Sequence, residues 1–100
     1  MDFQIVWTEA ALADLEAIVR RLAADERAAA EKLRLELLGS VEVLGRFPFI
    51  GPAYERDRTG RAREILCRRY RIFYRVQEAD SRVEILTIWH GMRQEPRLPR

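Results

Sequence analysis

Three short apolar runs, at residues 62–67, 69–77 and 82–89, limit the fold more than any other feature of the chain. Only Arg68 separates the first two, and only Glu78–Ser81 separates the second from the third. Both junctions are too short for anything but a hairpin turn, so the three runs read as an antiparallel meander. The middle run is the most regular. Tyr70, Ile72, Tyr74 and Val76 fall on one side of it, and Arg69, Arg71, Phe73 and Arg75 on the other. Alternation with a period of two, rich in aromatic and β-branched residues, is the signature of a strand with two unlike faces.

Upstream the period changes from two to 3.6. Residues 2–7, DFQIVW, read as a first strand, and Thr8 is placed to cap a helix with Glu9 in its first turn. Trp7 and Leu12 have the spacing of a hydrophobic staple across that cap. Leu12, Leu15, Val19 and Leu22 continue at helical spacing, which predicts a helix over 9–23. Asp25 is a candidate cap for a second helix running through Leu33, Leu37, Val41 and Leu44 to a stop at Gly45. The short break makes the two helices an antiparallel hairpin. Residues 46–60 carry two prolines and two glycines and read as a loop. The expected architecture is α+β: an N-terminal strand, a helical hairpin, then a three-stranded meander, all in one sheet. The chain is a single domain over 1–100, with a tail from about residue 92 that is expected to fray. With the helices on one face, the other face is expected to be open and basic.

Charge sharpens that expectation. Residues 1–45 carry nine acids and five bases, whereas residues 46–100 carry seven acids and thirteen bases. Eight arginines stand between 56 and 75, against Asp57 and Glu64. A basic region this concentrated attracts anions, whether nucleic acid or an acidic protein. Arg63, Arg69, Phe73 and Arg75 are the candidate binding residues, with Tyr54 from the loop as a further stacking candidate. Successive side chains on one strand face lie roughly 6.7 Å apart, so the arginines form a row. The plainer reading is a solvated face whose arginines pair across strands with Glu64 and Glu84. Phe73 argues against it, since an aromatic exposed between arginines needs something to stack on it. One cysteine, Cys67, excludes an internal disulfide and multi-cysteine metal motifs, and it reads as a small core residue. No cofactor or metal is expected. The N-terminus lacks the pattern of a signal peptide and no run is long enough to span a membrane, so a cytoplasmic location with no membrane partner is the expectation.

The succession of "IVWTEAALADLEAI", "FPFIG", "YRIFYRV" and "VEILTIWHGMR" resembles the RelE/ParE superfamily of toxins from type II toxin–antitoxin modules. The resemblance runs from about residue 3 to Pro96. It implies a growth inhibitor neutralised by a cognate antitoxin, expected to be acidic and partly disordered. One branch of the superfamily cuts messenger RNA on the ribosome; the other, ParE-like, poisons DNA gyrase. For a nuclease, the resemblance implies Arg71 and Arg93 as phosphate-binding residues and His90 as a catalytic histidine suited to proton transfer; Glu55 or Glu64 could serve as general base, though neither falls in a motif of the family. The lysines used by RelE itself are absent, since Lys32 lies in a helix. The "HGMRQ" ending is shared with ParE-like members, so the reading leans to a ParE-like target, with an mRNA endonuclease second. A non-toxic nucleic-acid-binding module is a further alternative.

Overall fold

Thr8 is the hinge between the first strand and the first helix. In the computed structural model, which describes residues 2–91, Gln4–Trp7 form β1 and Glu9–Ala23 form α1. The Thr8 hydroxyl accepts a hydrogen bond from Ala11 N–H at 3.2 Å, capping the helix as its side chain allows. The second helix, α2, spans Arg27–Arg46, with Glu26 and not Asp25 at its N-cap position. Strands β2 (Ala62–Cys67), β3 (Tyr70–Gln77) and β4 (Arg82–His90) follow. A single 3-10 turn, Glu78–Asp80, joins β3 to β4.

The sheet order is β1-β4-β3-β2. The three later strands form the expected antiparallel meander. β1 lies at the far edge, parallel to β4, and the helical hairpin that follows it carries the chain across to β2 at the opposite edge. The fold is therefore α+β with a four-stranded mixed sheet.

One face of the sheet carries the helices. Ala11 and Leu15 of α1, and Leu33, Leu37, Val41 and Leu44 of α2, pack on Ile72, Tyr74, Val83, Ile85 and Ile88. The α1 stripe runs through Ala11, Leu15, Ile18 and Leu22. Leu12, read as part of that stripe, is 43% exposed because it lies about 100° further round the helix from Ala11. Gly45 does not end α2. It sits inside the last turn, where its carbonyl accepts from Phe3 N–H at 2.7 Å and a Cβ would lie 3.2 Å from the Phe3 oxygen. Its lack of a side chain lets the chain leading into β1 lie against α2.

The other face is not bare. Residues 47–61 fold back over it, held to the β2 edge by a bridge between Ala53 and Arg63. Tyr54 N–H donates to Ala62 O at 2.8 Å and Glu64 N–H to Pro52 O at 3.1 Å. A second small core of Tyr54, Ala62, Phe73 and Leu86, with Trp89 against it, forms beneath. Gly51 makes the close approach possible, since a Cβ there would lie 2.4 Å from Glu64 O. Its N–H donates to the Tyr74 hydroxyl at 3.0 Å. Burial, acting first, pushes that phenol above its ordinary range.

β4 contains a bulge. Phe73 pairs with Thr87, but its neighbour Tyr74 pairs with Ile85, leaving Leu86 as the extra residue. Ile85 and Ile88 thereby both face the helices, while Leu86 and Trp89 face the loop. A bulge strands backbone groups that the ladder would otherwise satisfy. Here α1 supplies partners. Thr8 Oγ1 donates to Ile85 O at 2.7 Å, and the Asp14 carboxylate accepts from Thr87 Oγ1 at 2.5 Å and Ile88 N–H at 3.0 Å.

Candidate functional site

Arg71 lies at the centre of the loop-covered face. Its Nη2 donates to both Glu64 oxygens, at 3.0 and 3.2 Å, and its Nε to Oε1 at 3.1 Å. The pair is mostly shielded, with side chains 15% and 20% exposed. The same guanidinium lies 5.0 Å from the Phe73 ring centre and 5.6 Å from that of Tyr54. The two rings meet edge to face at 4.8 Å. Such an arrangement combines a forked charged contact with cation–π attraction. The cross-strand partner expected for a solvated arginine row, Glu64, is therefore real.

Phe73 and Tyr54 are corrections. Phe73 has no exposure and Tyr54 is only 6% exposed, because each covers the other. Neither offers a free stacking surface to a ligand. The exposed-aromatic argument fails for a simple reason: the Pro- and Gly-rich loop supplies a roof that strand alternation alone does not show. Arg63 is likewise partly structural. It donates to Gly51 O at 2.7 Å and stands 4.9 Å over the Phe49 ring, tying the loop to β2. Arg63 is opposed to Tyr74 and so lies on the other side of β2 from the arginine row, whereas Arg75 faces the side of Arg71, opposite Ala62 on β2 and Glu84 on β4. Arg69 is not in the row; it belongs to the turn between β2 and β3 and is exposed. Glu55 lies on an exposed turn of the loop. Arg93 lies outside the described residues.

His90 is on the opposite face of the sheet from Arg71. Residues directly opposed in an antiparallel pair share a face, and the register opposes His90 to Tyr70 and Trp89 to Arg71. The His90 and Tyr70 rings meet edge to face at 5.4 Å. They line a cavity of about 390 Å³ on the helical side with Asp14, Arg21 and Asp25. The bulge causes this placement. Strict alternation of every residue from Ile85 onward, with no bulge, would send His90 to the arginine side. The structure therefore brings Arg71 and Glu64 together and separates both from His90.

Sequence reasoning missed Asp14, which holds the bulge, and Asp57, which holds the loop. Asp57 accepts from the N–H groups of Thr59, Arg61 and Ala62 and from the Thr59 hydroxyl. Burial raises its pKa, but the Thr59 hydroxyl and then these backbone donors outweigh it, and the carboxyl titrates below its ordinary value. A signal existed for Asp14: it is a polar residue inside the apolar stripe of α1. An apolar surface was missed as well. Val43, Ile50 and Leu66, 45%, 60% and 70% exposed, line a groove of about 450 Å³ beside the β2 edge. No described helix is long and apolar enough to cross a membrane.

The fold is shared with the small proteins of ParDE and RelBE toxin–antitoxin systems. A structure from the chromosomal ParDE toxin–antitoxin system of P. aeruginosa superposes with a TM-score of 0.74 at 21% identity, covering 88% of this chain and 95% of that one. The RelBE2 toxin–antitoxin complex of Mycobacterium tuberculosis gives 0.62 at 22% identity, over 90% and 99% of the two chains. A mutant of the E. coli toxin RelE in the free state gives 0.66 at 17%, over 92% and 86%. A search of curated proteins gave no match. Residues 5–95 match the family described as ParE toxin of type II toxin-antitoxin system, parDE. The chain belongs to that ParE toxin family.

Proposed function

We propose that this toxin inhibits growth by occupying a protein target, as a ParE-like poison of DNA gyrase, and that it does not cut RNA. The observation carrying this reading is the separation of Arg71 from His90 across the thickness of the sheet. Cleavage through the ribose 2′-OH needs a base, a cation on the phosphate and a proton donor converging on one linkage. Among the described candidates, the proton donor faces the helices while the cation is forked onto Glu64 beneath the loop. The match to a ParE family supports the same branch.

The mRNA endonuclease is the second reading, favoured by one contact. Glu64 and Arg71 are an acid and a cation within reach of a single phosphate. Induced expression separates the two. A gyrase poison leaves ribosome-bound transcripts intact while double-strand DNA breaks accumulate, and His90→Ala stays toxic. Cut transcripts with unbroken DNA would establish the nuclease instead. Salt-dependent DNA binding with normal growth would point to a non-toxic binding module.

Neutralisation falls to a cognate antitoxin, acidic and apolar in alternation, disordered until it binds. The exposed Val43, Ile50 and Leu66 beside the basic strands support such a partner, since contiguous apolar surface on a small chain marks a protein contact.

A further inference from the structure

The β2–β3 turn carries a second basic site, away from the arginine face. Arg68 occupies the first position of a two-residue turn with φ of 55°. That left-handed conformation favours glycine, and arginine there is held under strain. Its guanidinium forks onto Glu36 of α2, with Nη2 to Oε1 at 2.7 Å and Nε on the other oxygen. Lys32 precedes Glu36 by one helical turn, and Arg69 follows Arg68 in the hairpin. Lys32, Arg68 and Arg69 rim a pocket of about 350 Å³ whose base includes Leu22, Leu33 and Tyr70. Glu36 lies among these cations: its hydrogen bond from Arg68 comes first and outweighs the opposing effect of burial, and the charges of Arg68 and Lys32 add to it, so the carboxyl is held below the ordinary range.

We propose that the Lys32–Arg68–Arg69 pocket docks an acidic peptide segment, one carboxylate side chain with an apolar neighbour, and that Glu36 is the resident carboxylate competing for Arg68. Three cations against one acid leave the rim attractive to a further anion. The planar fork of Arg68 already fits a carboxylate in place, which shows what chemistry the site accepts. The apolar base distinguishes it from a surface that merely tracks a phosphate backbone. A side chain such as leucine beside the acid would fill the space between Leu22 and Tyr70. Neither the toxin's target nor its toxicity enters this proposal.

The test uses the full chain and a fluorescein-labelled peptide, Gly-Leu-Glu-Leu-Gly, with its glutamine counterpart, read by fluorescence anisotropy at low salt. The glutamate peptide should bind about tenfold tighter, the worth of one charge-assisted hydrogen bond. Lys32→Ala with Arg69→Ala should remove that preference; both side chains are exposed, and circular dichroism confirms the fold. Lys32→Gln with Arg69→Gln serves if the alanine pair unfolds. Glu36→Gln frees Arg68 and should tighten binding several-fold, whereas Glu9→Gln, the same charge change at the far end of α1, should not. Equal binding of the two peptides, or equal gains from Glu36→Gln and Glu9→Gln, would overturn the proposal. A duplex DNA oligonucleotide that binds with the same variant dependence, where the peptide does not, would overturn it in favour of nucleic acid.

Discussion

Phe73 stands between two arginines and yet touches no solvent. A phenylalanine can occupy that position only because Tyr54 and Leu86 close over it. Phe73→Ala should therefore cost about 3–5 kcal/mol, as large core truncations do, and not the near-zero cost of a surface change. Arg71→Ala should not be neutral either. It leaves Glu64 shielded without its fork and removes a cation from two rings, so a loss of about 1–3 kcal/mol is expected. Combining Glu64→Ala with Arg71→Ala should cost less than the sum of the single changes, because each residue's burial is tolerable only with the other present. Thermal melts of the four proteins measure it. A strictly additive double variant would mean that the fork contributes nothing to folding.

At the scale of elements, two carboxylates hold segments that the sheet ladder cannot. Asp14 satisfies the β4 bulge from α1. Asp14→Ala leaves the Ile88 N–H without this acceptor and should destabilise the chain by about 1–3 kcal/mol. Deletion of Leu86 removes the extra residue but keeps the pairings on either side of it, so His90 should retain its contact to Tyr70 in NMR spectra. Asp57 does similar work for the loop. Its carboxyl is depressed in the folded state, so its stabilising contribution is present above the unfolded value of about 3.9 and fades as pH falls through the lower folded value. Amide protection factors in residues 57–62 should fall as the pH drops below about 4. In Asp57→Asn that acid-induced fall should be absent. An identical acid response in both proteins would remove the carboxylate from the explanation.

For the whole molecule, the exposed apolar groove and the basic strands imply that the chain is completed by a partner. A ligand that binds only the folded form at a hundred times its Kd adds about 2.7 kcal/mol. The toxin purified with its antitoxin should accordingly melt several degrees above the toxin alone, with Leu66→Ser reducing that gain while hardly changing the free chain. Leu66 is 70% exposed, so the free chain has little to lose there. An unchanged gain with Leu66→Ser would place the antitoxin elsewhere on the surface.

Local order determined much of this protein. The shift from helical spacing to two-residue alternation, with turns of one to four residues, is enough to specify a helical hairpin on a meander. The even positions of β3 went to the helices as their alternation required, because a strand with one greasy side has a single way to hide it. The closing of the other face was not legible. Phe73 beside arginines reads the same whether it is bare or roofed, and the roof comes from a loop some twenty residues earlier. Nor was the side of His90 legible, since one extra residue at Leu86 reverses every side chain after it. That residue is tolerated because Thr8 and Asp14, more than seventy positions away, satisfy the backbone it strands. Periodicity is a property of neighbours in the chain. Roofs and bulges depend on partners distant in sequence, and only the tertiary structure brings them together.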